Sequence, residues 1–227
     1  MNIERRTLLK GMALGGLTGI AMSGSSLAMT KAMLGGQARP LPTLVLVDDG
    51  AAGKAFLAGV GSSPAAGNAE VQRADIGLDF ILGLEKRLRS GQPQRIIGLV
   101  DDASAALILD LARSNGARVQ WLGQHCAIAG ATRHHLLSAD SAQGCALHLG
   151  QQLHACGGGF SLSEEHPLGG QPLKLTGAAR SGGSAQWAAS LGYSLAGLGG
   201  ADSSAAPRIA SHQPALAGQF VSFSIVA

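Results

Sequence analysis

The sequence predicts a single α/β domain of three layers, with a mostly parallel sheet, helices on both faces and an antiparallel strand at its C-terminal edge. Three observations carry that expectation. Residues 95–124, RIIGLVDDASAALILDLARSNGARVQWLGQ, read as strand, turn, helix, turn, strand: a short apolar run, an Asp-Asp break, then apolar residues at helical spacing that stop at Asn115-Gly116. A strand that returns after a crossover helix is the parallel unit of α/β proteins. The same pattern occurs earlier, where LVLVDDGAAGKAFLAG at 44–59 matches IGLVDDASAALILDLA at 97–112. Two copies make a repeated βα unit, too few for a solenoid. Finally, Val221, Phe223 and Ile225 alternate with Ser222 and Ser224 near the C-terminus, the pattern of a strand with one wet face.

Composition supports one domain with a sizeable core. Of 227 residues, 46% are hydrophobic and 14% charged, which excludes disorder for most of the chain. With 34 Gly but only 5 Phe, 2 Trp and 1 Tyr, the core must be aliphatic and small, and aromatic stacking platforms for single-stranded nucleic acid are excluded.

The elements follow in order. Residues 29–42, with Pro40 and Pro42, form a flexible lead-in to the domain at 43–227, whose first strand is TLVLV at 43–47. A helix follows, then a loop of Gly, Ser and Pro at 61–68. Residues 69–89 read as a helix with Ile76, Phe80, Leu84 and Leu88 on one stripe. Its basic end, Lys86, Arg87 and Arg89, suits a solvated helix C-terminus closed by Ser90-Gly91. Beyond the opening unit, a strand is expected at 133–137, then a helix capped by Ser138 or Asp140 that runs to Cys156 and stops at the glycines 157–159. Residues 158–183 read as irregular. The stretch SAQWAASLGYSLAGL at 184–198 is a small-residue helix able to pack closely on the sheet.

Residues 1–28, MNIERRTLLKGMALGGLTGIAMSGSSLA, have a positive start, a short apolar centre and a small-residue end, the form of a secretory signal peptide. The centre is too short and glycine-rich for a membrane span, which needs about 20 apolar residues, so no stable anchor is expected. Ser26-Leu27-Ala28 fits a small-x-small cleavage site and is preferred, with Gly36-Gln37-Ala38 as the alternative, so cleavage is expected near Ala28. The run Glu4-Arg5-Arg6-Thr7-Leu8-Leu9-Lys10 resembles the twin-arginine export motif, with Arg5 and Arg6 as its arginine pair, Glu4 where that motif prefers Ser or Thr, and Leu8 where it prefers Phe. The resemblance covers the leader alone. It implies a bacterial protein delivered folded to the periplasm by the twin-arginine translocase, either carrying a cofactor loaded in the cytoplasm or travelling with a partner. This leader holds Arg5, Arg6 and Lys10 against Glu4, three basic residues against one acid, so its removal lowers the net charge from +3 to +1. Nucleic-acid or anionic-membrane binding by bulk charge loses its basis.

Two constellations carry candidate chemistry. Asp48, Asp49, Asp101 and Asp102 fall where two strands give way to helices, which in a parallel sheet is one rim and the usual ligand crevice. Four carboxylates there would bind a hard cation or raise a pKa for acid-base work. The plain alternative is that Asp49 and Asp102 cap their helices while Asp48 and Asp101 face solvent. The second constellation is a segment holding His125, Cys126, His134, His135, Cys145, His148, His154, Cys156 and His166. Cys145, His148, Gln152 and Cys156 lie on one helix face, and with Cys126 they form the candidate set for zinc or copper. The alternative is that these cysteines are small buried residues. An intact helix would hold Cys145 and Cys156 roughly 16 Å apart, too far to pair. Cys126 could pair with either, or all three stay reduced.

Other signatures are absent. The chain has no CxxCH haem site, no P-loop and no G-x-S-x-G elbow, and Ser138 and Ser141 are the only serines placed near a strand-to-helix turn with histidines at hand. No cofactor is named by the sequence. The expectation is an exported, soluble periplasmic accessory or ligand-binding protein of the kind that works beside a redox enzyme, and the alternative is a small metal-assisted hydrolase using the Asp rim.

Overall fold

The computed structural model describes residues 41–67, 69–128, 131–142, 144–167, 169, 171–180, 185–198 and 216–227. Residues 1–28, with Arg5, Arg6 and the cleavage expected near Ala28, lie outside the described residues. The two apolar runs that precede Asp-Asp become β1 (Thr43–Val47) and β3 (Arg95–Val100), buried on both faces. They are parallel neighbours, with Thr43 opposite Arg95 and Val47 opposite Leu99, so the repeated units of the sequence stand side by side. Helix α1 (Ala51–Ser62) follows β1, and α3 (Asp102–Ser114) follows β3.

The complete sheet has eight strands in the order β2-β1-β3-β8-β4-β5-β6-β7. The others are β2 (Glu70–Arg73), β4 (Arg118–Ile128), β5 (Ala131–Ser138), β6 (Gly159–Glu165), β7 (Leu173–Gly177) and β8 (Gly218–Val226). It is mixed rather than mostly parallel: β1/β2, β1/β3 and β5/β6 run parallel, whereas β3/β8, β8/β4, β4/β5 and β6/β7 run antiparallel. Connection length explains part of this. Ile128 pairs with Ala131 across only two intervening residues, which permits a hairpin and no crossover.

The C-terminal strand is antiparallel as expected, but it lies in the middle of the sheet between β3 and β4. Its serines do not face water. Ser222 and Ser224 are as buried as Phe223 and Ile225, so the alternation separates two dry faces. Other boundaries move for local reasons. The segment expected as one helix at 69–89 divides into β2 and α2 (Leu78–Arg89), because the Ala74 N–H donates to Val47 O at 2.8 Å and continues the sheet ladder. Asp75 then accepts from the Gly77 N–H at 2.9 Å and turns the chain, leaving Ile76 exposed outside the helix. Phe80, Leu84 and Leu88 form the buried stripe. Arg87 reaches back to Glu70 with two hydrogen bonds, 2.8 and 2.6 Å, and ties α2 to β2. Residues 158–183 are not irregular throughout, since they hold β6 and β7. Helix α4 (Cys145–Cys156) begins later than expected, because Ser138 is the last residue of β5 and Asp140–Ala142 forms a separate 3-10 turn.

Helix α5 (Gln186–Ala196) is buried along its entire length. It packs between α1, α4 and the sheet, where Trp187, Ala188, Leu191 and Leu195 join Val45, Val47, Ile97 and Leu99 in one core cluster. The alternate residues Leu44, Leu46 and Ile96 are buried on the other side of the same strands. The crossing of α1 and α5 is backbone against backbone: a Cβ on Gly59 would run into the Ala189 carbonyl, and one on Gly192 into the Phe56 carbonyl. Gly192→Ala is therefore expected to lower stability by about 1–3 kcal/mol through overpacking. A urea midpoint equal to that of the parent chain would contradict this crossing.

Candidate functional site

The Asp-Asp turns lie at one end of neighbouring parallel strands, as the sequence implies. Because β1 sits between β2 and β3, the chain leaves β1 to one side and later returns on the other, the switch-point geometry of open α/β sheets. Each carboxylate there has a local task or faces solvent. Asp101 is the N-cap of α3, its Oδ1 accepting from the Ala103 and Ser104 N–H groups at 2.8 and 3.0 Å and its Oδ2 from the Ser104 hydroxyl at 2.6 Å. Burial pushes the Asp101 carboxyl up, but hydrogen bonds from Ser104 and Ala103 outweigh it and hold the pKa below the usual value. Asp48 accepts from the Gly50 N–H at 3.0 Å, Asp49 pairs with the Arg73 guanidinium, and Asp102 is exposed in the first turn of α3. The cap is thus Asp101, one residue before Asp102, and α1 starts at Gly50 with no side-chain cap from Asp49.

The His/Cys segment is distributed over β4, β5, α4 and the end of β6. Cys145 and Cys156 close the two ends of α4, while Cys126 lies on β4. On α4 the expected shared face is visible in one contact, the Gln152 side-chain amide donating to His148 Nε2 at 2.5 Å. Burial, and secondarily the Glu164 carboxylate, raise the Cys145 thiol pKa. His135 meets the Ser163 hydroxyl at 2.9 Å, and His166 donates through Nδ1 to the Ser138 carbonyl at 3.1 Å. Among the described residues, no group of three or more His, Cys, Asp or Glu side chains is placed to hold a metal ion.

The sequence does not pair His125 with His134, yet the β4–β5 register sets them directly opposite each other, both buried. Their Nδ1 atoms are 2.8 Å apart, so one ring must donate and the other accept. His125 Nε2 lies 2.7 Å from Ser222 Oγ, which also accepts from Trp121 Nε1 at 2.9 Å, and His134 Nε2 lies 2.9 Å from Thr132 Oγ1. One assignment of protons satisfies every donor. Trp121 donates to Ser222, Ser222 to His125 Nε2, His125 Nδ1–H to His134 Nδ1, His134 Nε2–H to Thr132, and Thr132 to the Gly159 carbonyl at 3.4 Å. The reverse tautomers leave the Ser222 hydroxyl hydrogen without an acceptor. Gly123 makes room for this chain, since a Cβ there would stand 2.6 Å from Ser222 Oγ and 2.8 Å from His125 Nε2. Trp187 covers both imidazoles, with ring centroids at 5.4 and 5.6 Å. Burial drives the His125 pKa well below its ordinary value, with the neighbouring His134 adding to it, and burial lowers His134 to about 4.

The Thr132 end of this chain borders a half-open cavity of about 450 Å³ at the starts of β5 and β6. Its lining includes Cys126, Ile128, Ala131, Arg133 and Ser161 from one sheet face and Thr132 and Phe160 from the other. Cys126, Arg133 and Ser161 are register partners on adjacent strands and project from the sheet face opposite the histidine pair. On the histidine side, β4, β5 and β6 bury His125, His134 and Leu162 under the α5 core. Toward the cavity, the other face of the same strands, carrying Gln124, Cys126, Arg133, His135, Ser161 and Ser163, stays half-buried or exposed. No protein-family model, curated protein or solved structure matches this chain.

The neutral histidine pair has a pH signature. An unfolded His titrates near 6.5, whereas His134 titrates near 4 in the fold, so between these values the unfolded chain binds more protons. Stability is complete above the unfolded value and is lost as pH falls toward the folded one. His134 alone is expected to cost about 2 kcal/mol between about pH 7.5 and about pH 5, with His125 adding in the same direction. Denaturant unfolding at those two pH values reads this before the carboxylates titrate, and a flat profile would contradict two buried neutral imidazoles.

Proposed function

We propose that this chain is an exported ligand-binding or accessory protein of the periplasm, delivered by the twin-arginine translocase, released near Ala28 and working beside a periplasmic partner such as a redox enzyme. The observation that carries the binding part is the cavity lined by Arg133, Ser161 and Cys126 on a sheet face that stays half-buried or exposed. A cleft of this size falls in the range that small ligands occupy. The same reading takes β1, β3 and β8 as the three-layered part of the domain and β4–β7 as the part that leaves a face for ligand. Export rests on the resemblance of residues 4–10 to the twin-arginine motif. Among the described residues no helix is long and apolar enough to cross a membrane. Replacing Arg5 and Arg6 by Lys should leave the precursor in the cytoplasm of an expressing bacterium; normal export, followed by fractionation and immunoblot, would remove this part of the reading.

A metal-assisted hydrolase is the second reading, favoured by the carboxylate-bearing turns at a switch point between β1 and β3. The double variant Asp48→Asn/Asp101→Asn separates the two. Binding alone predicts little change in stability, because Asn caps a helix about as well as Asp, and no change in any activity. Loss of a divalent-cation-dependent hydrolytic activity at unchanged fold would favour the hydrolase.

A further inference from the structure

We propose that the cavity at the starts of β5 and β6 binds a small monoanion with an apolar body, its carboxylate held by Arg133 and its carbon skeleton lying against Ile128 and Ala131. The inference rests on the ligand-binding reading and names the ligand class for that site.

Charge comes first. Arg73, Arg87 and Arg89 are paired with Asp49, Glu70 and Glu85. Arg133, like Arg95, Arg113, Arg118 and Arg180, has no carboxylate partner among the described residues, and of these it alone lines the cavity. Its neighbours in register across the sheet are Cys126 on β4, Ser161 on β6 and, one strand further, Thr176 on β7, none of them a carboxylate. The next row on that face carries Gln124, His135, Ser163 and Lys174, which adds positive charge. Glu165, opposite Leu137, is the nearest acid on this face by register, four residues along from Arg133 or roughly 13 Å. A guanidinium in a half-open cavity with hydroxyls beside it and no counter-ion is arranged to take an anion. Its planar fork matches a carboxylate.

Shape and polarity then limit the class. The cavity is near the small end of ligand sites, at about 450 Å³. Ile128, 59% exposed, and Ala131 are the apolar side chains that its lining takes from the Arg133 face, whereas Phe160 belongs to the core of the histidine face. A multiply charged anion would meet one arginine and be desolvated against these apolar groups without a second cation in the lining. A neutral apolar molecule would leave Arg133 uncompensated. One negative charge on a short hydrocarbon body meets both conditions. The Ser161 hydroxyl offers a further donor, and Thr132, whose own hydroxyl is engaged with His134 and Gly159, links the site to the buried histidines.

Hexanoate, 1-hexanol and hexylamine, titrated separately into the purified protein at neutral pH and followed by amide nitrogen–proton spectra, test the proposal. Hexanoate should shift the amides of Cys126, Arg133 and Ser161, and 1-hexanol should bind more weakly by roughly tenfold or more, the worth of a charged hydrogen-bonded contact. Arg133→Gln should weaken hexanoate by a similar factor while leaving the rest of the spectrum, and so the fold, unchanged. Equal binding of 1-hexanol, or full hexanoate binding by Arg133→Gln, would overturn the anion assignment while leaving a ligand site in place. Cavity amides that respond to none of the three probes would overturn both this proposal and the ligand-binding role of the cavity.

Discussion

The architecture depends on β8 being held between β3 and β4. On one side it pairs with β3 from Arg95–Val226 to Val100–Val221, and on the other with β4 along nearly its whole length. Without it the sheet is two separate pieces, β2-β1-β3 and β4-β5-β6-β7. The joint is also the source of long-range order. Ser222 reaches Trp121 and His125 across 101 and 97 residues of chain, so the buried polar chain cannot form until the C-terminus has docked. Contacts of such separation carry a loop-closure cost before they repay it.

That joint requires a dry covering, which α5 supplies. Gly192 and the alanines of α5 let it approach α1 closely, and Trp187 lies over the histidine pair and Phe220. Burying two imidazoles, an indole N–H and two hydroxyls is costly unless each finds a partner. Here the hydrogen bonds run in one direction from Trp121 to the Gly159 carbonyl, and the neutral tautomers of both rings are determined by their neighbours rather than by solvent. Trp187 Nε1 has no hydrogen-bond partner in this cluster, the one polar atom among these rings that packing leaves unmatched.

The two halves of the sheet differ in what they leave open. Around β1, β3 and β8 both faces are dry, and at the strand ends Asp48 and Asp101 turn or cap their own loops, Asp49 pairs with Arg73 on β2 and Asp102 faces solvent. Around β4–β7 one face carries hydroxyls, His135, Arg133 and Lys174 and stays accessible. Binding chemistry therefore belongs with the second half. The repeated Asp-Asp turns are better accounted for by local backbone geometry, since a carboxylate just before a helix satisfies its first free N–H groups wherever it occurs.

By itself, the sequence determined the local units: the two strand-Asp-Asp-helix repeats, the amphipathic stripe of Phe80, Leu84 and Leu88, the stop after Ser114, and a small-residue helix near 184–198. These depend on periodicity and capping, which are properties of neighbouring residues. The tertiary structure alone decided where β8 inserts, that Ser222 is dry, that β6 and β7 lie in a stretch of Gly and Pro, and that His125 faces His134 while Arg133 faces Cys126 on the other side. Period-2 alternation reports that a residue points to one face of a sheet. It does not report which strand lies beside it or whether that face meets water, and a serine is small enough to fit either way. The site is legible only once strand register is known, because register, not spacing along the chain, aligns Cys126, Arg133 and Ser161 in one row.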